Sequence, residues 1–172
     1  MQILNIHERS IARPAAAVGA LIDTLSSDGD ALWPRSLWPA MRFDRPLSVG
    51  ADGGHGPIGY AVTEYRPGNY VRFRFSGPNG FNGHHWFDLV PEGEGACTLR
   101  HTIAMDARGL GLLLWGTAIR HLHDAVIEDA FSTAEVSLGL QPTVRPWSAW
   151  VRFLRRLVAG RQARSQSFDN QG

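Results

Sequence analysis

The sequence predicts an α+β fold in which a curved antiparallel β-sheet wraps around one long C-terminal α-helix. Three observations carry that expectation. From 57 to 105 the chain passes through four stretches of alternating apolar and polar residues separated by turn sequences, the pattern of an antiparallel meander. From about 110 to 138 it follows a single helical periodicity. An antiparallel sheet must bury one face, and that last helix is the only element long enough to cover it.

Each element has its own signal. "ILNIHERSIAR" (3–13) reads as a first strand. Pro14 then opens a short helix, "PAAAVGALIDTL", with proline in its first turn and a stripe of Val18, Leu21, Ile22 and Leu25. "SSDGD" closes it. The stretch 32–47 holds three prolines with Trp33 and Trp38, and reads as irregular structure running into a second strand around 40–47. "GADGGHG" (50–56) reads as a loop. The meander follows as "PIGYAVTEY", the turn "RPGN", "YVRFRFS", the turn "GPNGFNG", "HHWFDLV", the turn "PEGEG" and "ACTLRHTIAM". After the long helix, 139–146 is a linker and "WSAWVRFLRRLVAG" a second helical pattern. The expected organisation is one domain over 1–138, a linker and amphipathic helix over 139–160, and a disordered tail over 161–172.

Composition narrows the function classes. All 17 basic residues are arginine, a bias that a GC-rich bacterial genome favours. Residues 1–140 carry 11 arginines and 15 acids, a charge of −4, whereas 141–172 carry six arginines and only Asp169, a charge of +5. An acidic body argues against a nucleic-acid partner. Cys97 stands alone, so no internal disulfide forms, and a reducing cytoplasm fits best. "MQILNIHERS" lacks the pattern of a signal peptide. The apolar run 109–119 is far short of the roughly 20 residues that span a bilayer.

Taken together, "HHWFDLVPEGEGACTLRHTI" leading into "GLGLLLWGTAIRHLHDAVIEDAF" resembles the SRPBCC superfamily, the START-like or helix-grip proteins that include polyketide cyclases/dehydrases and lipid-transport proteins. The resemblance spans about residues 3–138 and implies a cavity between sheet and helix. It implies an apolar ligand without naming one, since this group hosts unrelated functions.

The candidate site follows from the faces of the elements. At about 100° per residue, His123 falls in the middle of an apolar arc with Trp115, Ile119 and Val126, while His121 lies opposite with Thr117, Asp124 and Glu128. His123 therefore points at the sheet and His121 at solvent. Strand alternation puts His85, Phe87 and Leu89 on one face, with Cys97, Leu99 and His101 beside them. Folding the hairpin about Gly93 pairs Leu89 with Cys97, Phe87 with Leu99 and His85 with His101. Val71, Phe73 and Phe75 join that face, leaving Arg72 and Arg74 outside, and Tyr60, Val62 and Glu64 join across the "RPGN" turn. Trp33 and Trp38 belong to the core or to the rim of the cavity mouth.

The candidate ligand-binding residues are thus His85, His101, His123, Tyr60, Glu64, Phe73, Phe75, Phe87, Ile119 and Trp115. A neutral imidazole offers one donor and one acceptor, suited to anchoring a ligand carbonyl or phenol or to acid–base work. The plainer alternative is that each histidine is a satisfied, semi-buried residue. Three histidines could suit zinc, but no HxH or HExxH spacing enforces the geometry, so neither a metal nor another cofactor is expected. Cys97 and His101 are too far apart along one strand to act as a pair, and "GADGGHG" does not join a strand to a helix as a phosphate loop must.

These features point first to a cytoplasmic protein that binds a small apolar molecule. A cyclase or dehydratase is the enzymatic alternative, with His85, His101 or His123 moving protons and Tyr60 polarising a carbonyl. An interaction module with a filled cavity is the third reading. The segment 147–158 has Trp147, Trp150, Val151, Phe153, Leu154, Leu157 and Val158 on one side and Arg152, Arg155 and Arg156 on the other. It is expected to dock on protein rather than on a membrane surface, because the body's charge attracts it, and a homodimer with tails covering the cavity mouths would satisfy it.

Overall fold

The computed structural model describes residues 1–157. Its strands are β1 (Gln2–Ile11), β2 (Arg42–Phe43), β3 (Asp52–His55), β4 (Ile58–Arg66), β5 (Tyr70–Phe75), β6 (Phe81–Pro91) and β7 (Cys97–Ala107). They form one antiparallel sheet in the order β1-β7-β6-β5-β4-β3-β2. The chain thus pairs sequential neighbours from β2 to β7, and β1 closes the far edge against β7.

Helix α1 (Ala15–Ile22) caps one end of the sheet, and a long helical segment crosses its inner face. That segment comprises α2 (Gly109–Leu114), a π-helical turn at Trp115–Ile119 and α3 (Arg120–Ser137). Two core clusters hold the layers together. One joins Val18, Leu21 and Ile22 of α1, with Leu25 from the turn after it, to Phe87, Leu99 and Phe131; the other joins Ile3, Ile103 and Met105 to Trp115.

Three local expectations need correction. The glycine-rich stretch 50–56 is not simply a loop: Asp52–His55 is a strand seated between β2 and β4. Its glycines permit the close approach, since a Cβ on Gly53 would lie 2.0 Å from the Arg42 carbonyl oxygen and one on Gly54 2.0 Å from that of Ile58. The strand expected around 40–47 shrinks to Arg42–Phe43. The β6–β7 register also differs by two residues: Leu89 pairs with Leu99, Phe87 with His101 and His85 with Ile103. The hairpin folds about Glu94 rather than Gly93, with the Glu92 N–H donating to the Ala96 carbonyl. A slip of two preserves every face, so the inward set is unchanged.

Helix α1 is locked onto the β4–β5 turn. The Asp23 carboxylate accepts the Gly68 N–H at 2.8 Å and the Tyr65 hydroxyl at 2.9 Å. Gly19 faces the same turn, and a Cβ there would sit 1.8 Å from the Gly68 carbonyl oxygen. Gly19→Ala is therefore expected to destabilise by about 2 kcal/mol through forced backbone displacement. Urea denaturation checks it, and a midpoint unchanged from the parent would refute the contact.

The C-terminal segment docks on its own chain. A helix over 149–157, α4, buries Val151 and Leu154. Ahead of it the Trp147 indole N–H donates to Asp129 at 2.9 Å, beside the Trp38 indole, which donates to the same carboxylate at 2.7 Å. The Arg155 guanidinium stacks 3.7 Å from the Trp147 ring centroid and 4.6 Å from that of Trp38. Trp150, Phe153 and Leu157 stay about half exposed, so this helix uses only part of its apolar surface. Val158 and the expected disordered tail over 161–172 lie outside the described residues.

Candidate functional site

A cavity of about 410 Å³ lies between the inner face of the sheet and the long helical segment. Phe75, Phe81, Phe87 and Ile103 wall it from the strands, and Trp115, Ile119, His123 and Val126 from the helix. Its rim includes the 35–39 stretch, the β3–β4 turn and Arg155 of α4.

The structure brings most of the sequence-predicted residues together. His85, His101, Phe75, Phe87, Trp115, Ile119 and His123 all border the cavity. The helix face is as periodicity requires: the His123 side chain is mostly buried and His121 is exposed. Tyr60 and Phe73 are fully buried one layer behind, packed on His85 with ring centroids 4.7 and 4.8 Å away.

Glu64 does not belong to the site. The β4–β5 register shifts between Val62 and Glu64, a bulge that spends one residue and turns Glu64 to the outer face. There it pairs with Arg72 at 2.8 Å, its side chain 40% exposed.

Sequence reasoning missed His55. It sits at the end of β3 and lines the cavity; its Nδ1 lies 2.8 Å from the Tyr60 hydroxyl and its ring 4.7 Å from that of Trp33. The one available signal was a histidine flanked by glycines, which becomes informative only once 52–55 is recognised as a strand.

The histidines form a stacked series. His85 Nδ1 and His101 Nε2 share a hydrogen bond at 3.3 Å, and the His101 and His123 rings lie 4.9 Å apart. Burial pushes His85 and His101 well below the ordinary histidine range, lowers His123, and takes His55 to about 3, so these imidazoles are neutral. Burial likewise raises Tyr60, which keeps its proton.

Neutrality fixes what the His85–His101 pair can offer. Whichever ring donates in the shared bond, each has one remaining nitrogen, and one of these two carries a proton while the other does not. Those nitrogens, His85 Nε2 and His101 Nδ1, are buried with no protein partner, and so are both ring nitrogens of His123. The pair thus presents one donor and one acceptor that the fold leaves unused.

On the other flank of α3, polar side chains of β1 meet the helix. Arg9 donates to Glu128 and to Glu135, each at 2.8 Å, and His7 lies 3.0 Å from both Glu128 and Asp124. Glu128 is therefore buried rather than solvent-facing, because the edge strand supplies its counter-charges. Burial lowers the His7 pKa, but its bonds to Asp124 and Glu128 outweigh that and leave it raised.

No protein-family model and no curated relative matches the sequence. Solved structures do match. A protein from Thermobifida fusca, solved in solution by NMR, aligns at 18% identity with a TM-score of 0.60, covering 83% of this chain and 97% of that one. Norcoclaurine synthase from Thalictrum flavum, solved with dopamine and hydroxybenzaldehyde, aligns at 14% identity and a TM-score of 0.60, covering 81% and 88%. CalU16 from Micromonospora echinospora aligns at 11% identity and a TM-score of 0.50, covering 81% and 96%. Together with a seven-stranded antiparallel sheet closed over one long helix, these likenesses identify the fold of this chain as SRPBCC-like, the helix-grip architecture.

Proposed function

We propose that the chain binds a small apolar molecule bearing one polar group, held in the cavity between sheet and helix. The observation that carries this reading is the unpartnered polar pair inside an otherwise aromatic and aliphatic enclosure. Buried polar nitrogens without partners cost stability, and a ligand group that both donates and accepts, such as a hydroxyl, would satisfy His85 Nε2 and His101 Nδ1 together. The apolar walls would supply most of the affinity: burying about 200 Å² of ligand surface contributes roughly 5 kcal/mol at 25 cal/mol/Å². No carboxylate lines the cavity among the described residues, so a cationic ligand would find no counter-charge there. The fold's likeness to norcoclaurine synthase, solved with dopamine and hydroxybenzaldehyde, supports the reading. A single buried cysteine suits a reducing cytoplasm. No helix among the described residues is long and apolar enough to cross a membrane.

A neutral, polarity-sensitive dye tests it. Saturable binding at micromolar concentration is expected for the parent chain. Ile119→Trp grows into the cavity from the helix side and is expected to weaken binding at least tenfold, with the circular dichroism spectrum retained. Dye that fails to saturate on folded protein, or binds Ile119→Trp equally well, contradicts the proposal.

The hydrogen-bonded His85–His101 pair also favours a second reading, an acid–base enzyme of the cyclase or dehydratase type. In that reading one imidazole accepts a proton from the bound substrate while its neighbour donates one. His101→Phe would then abolish turnover of a bound aromatic or polyketide-like compound while leaving its binding within a few-fold.

A further inference from the structure

Asp124 is the point at which three side chains from two elements converge. Its Oδ1 lies 3.0 Å from His7 Nε2, 3.0 Å from Asn5 Nδ2 and 3.6 Å from His123 Nδ1. One ligand atom from each of His7, His123 and Asp124 can be chosen so that all lie within 4.8 Å of one another. In a tetrahedral zinc site, bonds of 2.0–2.2 Å place ligand atoms roughly 3.3 Å apart. Two of the three edges, His7–Asp124 at 3.0 Å and His123–Asp124 at 3.6 Å, already bracket that spacing, and the three residues' ligand atoms all lie within 4.8 Å of one another.

We propose that His7, His123 and Asp124 bind one divalent transition-metal ion, zinc by the chemistry of the donor set, and that the ion clasps the edge strand β1 to α3. The ligands are two imidazoles and a carboxylate, borderline donors that suit zinc over calcium or magnesium. His7 has the outer partner that a metal-bound histidine needs: its Nδ1 lies 3.0 Å from Glu128 Oε1, which leaves Nε2 to face Asp124. Glu128 is itself fixed by Arg9 at 2.8 Å and Arg145 at 3.1 Å.

Three further atoms point to a missing ligand. Neither nitrogen of His123 has a protein partner, although both are buried, and Asn5 Oδ1 is buried and unpartnered within the same cluster. A metal would employ one nitrogen of His123, and rotation of the Asn5 amide would offer it a fourth, neutral oxygen. Among the described residues the arginine paired with Asp124 is the mostly exposed Arg120, 3.7 Å away on the other carboxylate oxygen, and none is paired with Oδ1. Asp124 is one-third exposed, which gives an ion a path from solvent.

The site shares His123 with the cavity wall but draws its other ligands from outside the cavity lining. It lies on the β1 side of α3, and it differs from the three-histidine set considered from sequence, whose His85 and His101 bond to each other instead. The pattern was hidden because the ligands are separated by 116 residues along the chain, between His7 and His123.

Zinc titration of the full chain against a chromophoric chelator tests the proposal. The parent is expected to take up one zinc per chain at micromolar or lower free metal and to gain roughly 5–10 °C in melting temperature at a hundredfold excess over Kd. Asp124→Asn, which keeps the side-chain shape, is expected to weaken binding at least 100-fold. His123→Gln should do likewise, and Glu128→Gln should weaken it 10–100-fold. His121→Gln, on the exposed face, should leave it unchanged. The cobalt-loaded chain should show visible ligand-field bands that vanish in Asp124→Asn. Absence of one-to-one uptake by the parent overturns the proposal, and so does uptake equally tight in Asp124→Asn and His123→Gln.

Discussion

Arg9→Ala is expected to cost about 3–5 kcal/mol, among the largest effects of any single substitution in this chain. The guanidinium is 8% exposed and bonds Glu128 and Glu135 at 2.8 Å each. It also lies 5.7 Å from the Phe131 ring centroid and donates to the Thr143 carbonyl at 3.3 Å. Removing it leaves two largely buried carboxylates facing each other's charge, with His7 and the exposed Arg145 near Glu128 and no cation left beside Glu135 among the described residues. At roughly 2–4 °C per kcal/mol for a chain of this size, the melting temperature should fall by on the order of 10 °C. The cost belongs to the uncompensated charges rather than to the ion pairs themselves. The combination of Arg9→Met with Glu128→Gln and Glu135→Gln should therefore recover most of the loss. A fall of less than about 2 °C for Arg9→Ala would show that the network does not hold β1 to α3.

Stability is also expected to fall between pH 7.5 and pH 5.5. His55 and His85 are held neutral in the fold because burial depresses their pKa values, to about 3 for His55 and well below the ordinary range for His85. In the unfolded chain both titrate near 6.5. Below that pH the unfolded state binds protons that the folded state refuses, so unfolding becomes more favourable as pH falls. The stabilising contribution of the neutral fold is thus complete above about 6.5 and lost progressively below it. Each of the two contributes about 1.4 kcal/mol over this interval; His101 and His123, also depressed by burial, add to the fall, and His7, whose pKa is raised, opposes it. Urea titrations at the two pH values check the fall, and His85→Phe and His55→Gln should each reduce it by about 1.4 kcal/mol. An equal fall in the parent and in both variants would mean that these histidines are not buried as neutral groups.

Much of this was legible in the sequence, for reasons that are physical. The alternation in β5 to β7 reports a sheet with one buried face, so the inward positions of Phe73, Phe87 and His101 could be read directly. The helical period placed His123 inward and His121 outward, and the π-helical turn at Trp115–Ile119 did not overturn it. A register error of two residues did no harm, since the side-chain period in a strand is also two.

What escaped was non-local. The bulge that expels Glu64 leaves no mark in "YAVTEY", because its effect is to break the very alternation being counted. His55 was hidden by Gly53 and Gly54, which signal a loop by propensity but serve here to let three strands approach. In β1 Leu4 and Ile6 are exposed, while Asn5, His7 and Arg9 share the inward face with the buried Ile3 and Ile11, an arrangement explained by the carboxylates of α3. Edge strands depart from the simple pattern because one side pairs with the sheet and the other need not face a core.

Native mass spectrometry of freshly purified full-length chain tests the central claim most directly. If the cavity holds a small apolar molecule with one donor–acceptor group, the parent should carry a single non-covalent adduct, or acquire one stoichiometrically from a mixture of hydroxylated aromatic compounds. The adduct should be absent or at least tenfold reduced in Ile119→Trp. A parent chain that stays bare in every mixture, or an adduct equally abundant in Ile119→Trp, would contradict the account.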